Sequence, residues 1–179
     1  MRTLLIACSL ALVGAAGCAT LAGDRAPAAV TQVDAERLYN GRWLEVARRP
    51  MLITHNCGHG GTDYVLNPDR SVRQYDYCRV GGADGEVRDI TGEGEIQDPG
   101  TAAELRVRYL PLISRTYRVV ALDPDYRWFI SVDPAFRDLY IYTRDLPSQA
   151  ELDQLVQRAR ALGYPVENLE YPYAPAAES

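Results

Sequence analysis

His55, Cys57 and His59 alternate along one stretch of the chain, and Cys78 follows on a later one. Alternation in a strand turns every second side chain to one face, and two histidines with two cysteines make a legitimate zinc set. The same two cysteines read as one disulfide if the domain is exported. A hairpin turn centred between Asn67 and Asp69 pairs residues whose numbers sum to about 135 or 136, and Cys57 with Cys78 sums to 135. Opposed positions on neighbouring strands lie within disulfide reach. Closing that loop stabilises a fold by roughly 3 kcal/mol in the chain-entropy model.

Other reactive groups are sparse. Ser9, Ser71, Ser114, Ser131, Ser148 and Ser179 all lie outside a nucleophile-elbow context. Every one of the 19 basic residues is arginine, which excludes Schiff-base and lysine-nucleophile chemistry. Glu45 is a carboxylate with no second acid placed beside it by the sequence, so acid–base catalysis is not expected. Twelve tyrosines against two phenylalanines are better suited to an aromatic lining that still forms hydrogen bonds.

The N-terminus reads as a targeting segment. Arg2 is its only charge, and Leu4 to Gly17 is small and apolar apart from Ser9, too short to span a bilayer. Ala15-Ala16-Gly17-Cys18 resembles a bacterial lipobox, with Ala15 where that motif usually has Leu. The expectation is a signal peptide over 1–17 and an acyl (palmitate-class) anchor at Cys18; ordinary cleavage nearby, with Cys18 a bystander, is the alternative. Removing Arg2 from a chain of net charge −5 leaves −6 and no basic stripe, which argues against nucleic acid as a partner.

The elements that must position these residues follow from turn signals and periodicity. Residues 18–32 form the anchor and a small, Ala-rich tether reaching roughly 35 Å if extended. A short helical turn is expected near 33–39. Strands are expected near 42–49, 61–66, 71–79, 86–97, 103–110, 116–122, 126–132 and 138–144, separated by clusters such as Asn67-Pro68-Asp69 and Asp123-Pro124-Asp125. Eight strands with short connections predict an all-β, up-and-down antiparallel barrel. One helix, 148–163, opens on the capping box Ser148–Glu151. Its stripe of Leu152, Leu155, Val156, Ala159 and Leu162 should lie against the outside of the barrel. Residues 165–173 suggest a ninth strand or an extended arm, and 175–179 a disordered tail.

Three motifs carry a family resemblance over the domain 33–174. Tyr39-Asn40-Gly41-Arg42-Trp43-Leu44-Glu45-Val46-Ala47-Arg48 resembles the G-x-W opening strand of the lipocalins. Residues 117–126 supply a strand, a tight turn and the next strand, and Leu139-Tyr140-Ile141-Tyr142-Thr143-Arg144 ends in the family's arginine. The match is most similar to the bacterial outer-membrane lipocalins related to apolipoprotein D. The resemblance implies a scaffold role for Gly41, Trp43 and Arg144, with the guanidinium laid over the indole. It also implies a paired Cys57 and Cys78, which favours the disulfide over metal.

Alternation from Trp43 places Glu45 and Ala47 inside, and alternation back from Arg144 places Tyr140 and Tyr142 inside with Leu139 and Ile141 beneath the helix. Tyr75, Tyr77, Tyr109, Tyr117 and Trp128 complete the expected lining. The function implied is a lipid-anchored carrier or store for an apolar or amphiphilic ligand of the fatty-acid or lysophospholipid class. Its place would be the periplasmic face of the outer membrane, and no cofactor is implied. A lipocalin-fold enzyme acting on a lipid or isoprenoid and a structural envelope protein with a packed barrel are the alternatives. A homodimer and a monomer both remain open.

Overall fold

The computed structural model describes residues 24–173. The signal segment, Cys18 and the tail 175–179 lie outside the described residues.

Eight antiparallel strands close into one up-and-down barrel in chain order. They are β1 (Gly41–Arg48), β2 (Cys57–Leu66), β3 (Ser71–Val80), β4 (Val87–Ile96), β5 (Glu104–Leu110), β6 (Ile113–Leu122), β7 (Trp128–Val132) and β8 (Leu139–Thr143), with β8 pairing back onto β1. A one-turn helix α1 (Ala35–Leu38), capped by Asp34, precedes β1, and α2 (Gln149–Ala161) follows β8.

Two cores result from the period-2 alternation. Trp43, Tyr64, Val72, Leu105, Val107 and Phe129 fill one end of the barrel interior. Ile130, Val132, Leu139 and Ile141 face outward and are covered by Leu155 and Ala159 of α2. The Ser148 side chain accepts from the Glu151 N–H while Glu151 caps the Ser148 N–H, so the helix starts where its sequence directs.

The closed end is fastened by Trp43 and Arg144. The guanidinium carbon lies 3.6 Å from the indole ring centroid, and its nitrogens donate to the carbonyls of Arg37, Asn40 and Arg42. Gly41 (φ +75°) makes the turn into β1, and a Cβ there would meet an Arg144 nitrogen at 3.5 Å.

Three expectations are corrected. Part of the expected tether is docked on the barrel: the Val30 N–H donates to the Val119 carbonyl, and Asp24 pairs with Arg118 at 2.7 Å. Ala47 does not face inward, because a β-bulge between Glu45 and Ala47 reverses the alternation and sends Val46 and Ala47 to the helix-side core. The β2–β3 register runs Gly61↔Tyr77 to Leu66↔Val72, a sum of 138 rather than 135, and slips between Gly58 and Gly61. Residues 165–173 form an extended arm whose Glu170 makes an isolated antiparallel bridge with Arg48.

Candidate functional site

Beyond the Trp43 plug the barrel holds a cavity of about 470 Å³ that opens at the opposite end. Around its mouth stand Met51, Ile53, Ile90, Leu110 and Ile113, interspersed with the charged Arg88, Asp89 and Arg115. Leu52 and Leu112, in the loops that carry this rim, are 96% and 98% exposed. Deeper in, the lining turns polar: Glu45, Arg48 and Asp76 share the space with Tyr109, Tyr117, Tyr140 and Tyr142.

Arg48 reaches the interior because of the bulge that displaced Ala47. It is 2% exposed and completely surrounded. Nη1 donates to Glu45 at 2.6 Å, Nε to Glu170 at 2.9 Å, and Nη2 to the carbonyls of Thr54 and Cys57. Burial works against its charge, but the two glutamates outweigh it and hold the guanidinium's pKa up. Burial also raises the Glu45 pKa, opposed by Arg48 and reinforced by Asp76.

Asp76 is solvated by neutral groups. It accepts from the Thr62 hydroxyl at 2.6 Å, the Gln74 amide at 2.9 Å and the Tyr109 hydroxyl at 2.6 Å. Burial raises its pKa, and these three hydrogen bonds pull the other way. Tyr109 continues to Tyr117, oxygen to oxygen 2.8 Å. Gly92 makes this possible: a Cβ there would stand 2.9 Å from the Tyr109 ring and 2.4 Å from Val107. The Gln74 carbonyl oxygen beside Asp76 is buried without a partner.

The expected lining residues separate into three groups. Glu45, Tyr109, Tyr117, Tyr140 and Tyr142 are brought together around the cavity. Tyr75 and Tyr77 follow the other phase of β3. Their rings stack at 5.9 Å, Tyr75 donates to Asp89, and Arg42 lies 5.2 Å from the Tyr77 centroid. Tyr77 borders the cavity wall, whereas Tyr75 belongs to the outer surface. Trp128 is outside the barrel. It packs with the helix-side core, Arg158 of α2 lies 5.1 Å from its ring, and both border a separate groove along α2.

Cys57 and Cys78 form a disulfide with Cα atoms 5.3 Å apart, at the cavity wall. This removes both sulfurs from any zinc set. His55 is exposed, and the His59 ring packs against Tyr173 at 5.0 Å. Arg48 and Asp76 join the site without being among the residues expected to line it. The alternation Val72, Gln74, Asp76, Cys78 was a usable signal for Asp76; nothing local marked the bulge that turns Arg48 inward.

The family model for the lipocalin-like domain matches residues 33–174. The chain belongs to the lipocalin family. No curated protein matches it. Among solved structures, this lipocalin is similar to insecticyanin from the tobacco hornworm Manduca sexta (14% identity, TM-score 0.63, 85% of this chain and 87% of that one). It is also similar to the cockroach allergen Per a 4 (16% identity, TM-score 0.60, 84% and 95%) and to apocrustacyanin C2 (12% identity, TM-score 0.57, 85% and 92%). At these identities the likeness is one of fold.

Proposed function

We propose that this lipocalin binds one single-chain amphiphile, in the size class of a fatty acid or lysophospholipid, and stores or carries it in the cell envelope. The observation that carries the reading is the cavity of about 470 Å³ inside the closed barrel, within the range of small-molecule sites and entered past Met51, Ile53, Leu110 and Ile113 with Arg88 and Arg115 beside them. The resemblance of residues 39–48 supports reading it as a member of the apolipoprotein D-like branch of bacterial outer-membrane lipocalins. An acyl anchor at Cys18 would tether it to the periplasmic face of the outer membrane. Among the described residues no helix is long and apolar enough to cross a membrane. The protein acts as a binder and not as an enzyme, and the ligand leaves as it entered.

Native mass spectrometry of detergent-free protein tests this directly. The expected result is one saturable adduct per barrel when a fatty acid or lysophospholipid panel is added, recovered chemically unchanged after prolonged incubation. Absence of any saturable adduct would favour a structural role, and an altered ligand would establish an enzyme.

A further inference from the structure

The open end of the barrel carries aliphatic side chains where loop tips are ordinarily polar. The β5–β6 turn reads Leu110-Pro111-Leu112-Ile113, all of it exposed and Leu112 almost completely so. The β1–β2 loop at the same end contains Pro50-Met51-Leu52-Ile53, with Leu52 as exposed as Leu112 and Ile53 at 67%. Among the described residues, only Val65 and Leu146 of the exposed large aliphatics stand toward the closed end. Aliphatic surface gathered in this way and edged by polar groups marks an interaction surface.

Arginines supply the edge. Arg88 reaches across to the β1–β2 loop, donating to the Ile53 carbonyl at 3.4 Å, and Arg108 is exposed four residues before Leu112. Arg115 is engaged with Asp138, whereas Arg88 and Arg108 have no carboxylate within ion-pair distance among the described residues. Asp84 and Glu86 belong to the separate β3–β4 loop, and Asp89 accepts from Tyr75, so neither aliphatic tip carries an acid of its own. A guanidinium beside an aliphatic tip is suited to the phosphate layer that overlies hydrocarbon in a bilayer.

The path of the N-terminal segment says which end of the barrel meets a membrane. The Val33 N–H donates to the Thr101 carbonyl in the β4–β5 connection, at the closed end. The Val30 N–H then meets the Val119 carbonyl on β6, and the Arg25 and Ala26 N–H groups meet the Pro134 carbonyl in the β7–β8 loop, on the open side. Traced back toward Cys18, the chain climbs the outer wall from the plugged end to the open one. Cys18 precedes Asp24 by six positions, a reach of about 20 Å at most. An acyl anchor there would present the mouth, not the plug, to the bilayer. A pair of mouths meeting as two copies would instead bring the same arginine-edged tips together with no acid on either.

We propose that the open end docks on a phospholipid bilayer, with Leu52, Ile53 and Leu112 entering the acyl boundary and Arg88 and Arg108 taking lipid phosphates. The proposal concerns the outside of the mouth and holds whichever ligand the cavity takes. Only its chain-path argument rests on the anchor at Cys18.

Tryptophan fluorescence of the full-length protein carrying Leu52→Trp or Leu112→Trp, mixed with phosphatidylcholine–phosphatidylglycerol vesicles, tests the docking against a wild-type background. Emission from both tip positions is expected to move to shorter wavelength and to fall at least twofold when the lipids bear a nitroxide high on the acyl chain. Val65→Trp, at the closed end, is expected to show neither change. No quenching at either tip, or equal quenching at position 65, would overturn the proposal. Adding Arg88→Gln and Arg108→Gln to Leu112→Trp should reduce the quenching severalfold; undiminished quenching would refute the phosphate contacts. Self-association in vesicle-free sedimentation that Leu112→Asp abolishes would give the surface to a second copy and overturn the bilayer. Peptide mass spectrometry of the same preparation reads acylation at Cys18, so unquenched tips on an acylated chain would refute the docking and leave the anchor standing.

Discussion

Trp43 and Asp76 divide the interior between them, one as plug and one as polar centre. Trp43 is fully buried, donates from Nε1 to the Leu38 carbonyl, and meets Phe129 edge-on at 4.7 Å. Trp43→Ala should therefore lower unfolding free energy by about 3–5 kcal/mol in a denaturant titration; unchanged stability with lost ligand binding would contradict its role as scaffold. Asp76 makes a statement about pH. Its folded pKa is raised, so its contribution to stability is fully present below the unfolded value of about 3.9 and is lost as pH rises through the folded one. The melting temperature of Asp76→Asn relative to wild type should accordingly climb between pH 4 and pH 8. A flat or falling difference would show that burial does not govern this carboxyl. Glu45, also raised by burial, shares the sign but is moderated by Arg48.

At the scale of elements, local signals survived folding better than pairwise ones. The capping box of α2 was legible because Ser148 and Glu151 satisfy each other without help from elsewhere. Ser148→Ala should cost about 1 kcal/mol, measured as a shift in the unfolding midpoint. The β2–β3 disulfide was legible as a pair but not in register, since the turn closes through the Asn67 N–H to the Ser71 carbonyl and the strands then slip near Gly58. Replacing both cysteines with serine should destabilise the protein by roughly 3 kcal/mol, with the loss concentrated at the mouth end of β2 and β3 in hydrogen exchange. The β1 bulge was invisible in sequence, because an extra residue in one strand is defined only against its neighbour β8. That one device explains why Ala47 was expected inside and Arg48 was not. Trp128 lies outside the barrel for a related reason. It pairs with Thr143 at the start of a short strand, and its phase is fixed by Phe129 and Ile130 rather than by its own size.

On the scale of the whole molecule, eight strands, a plugged end and an external helix were readable from turns, motifs and amphipathic spacing, whereas the cluster of Glu45, Arg48 and Asp76 in the cavity was not. It depends on which of many alternating side chains share one enclosed space, and only closure of β8 onto β1 decides that. The docked segment from Asp24 to Val30 shortens any tether to an anchor at Cys18, which would hold the barrel closer to its membrane than an extended linker allows. The account stands on the interior cavity, not the groove along α2, being the ligand site. Photo-crosslinking with a single-chain amphiphile bearing a diazirine, mapped by peptide mass spectrometry, tests that most directly. Labelled positions are expected in β3, β5, β6 and β8, around Asp76, Tyr109, Tyr117 and Tyr140. Labelling confined to the groove lined by Trp128, Leu146 and Arg158 would contradict the account.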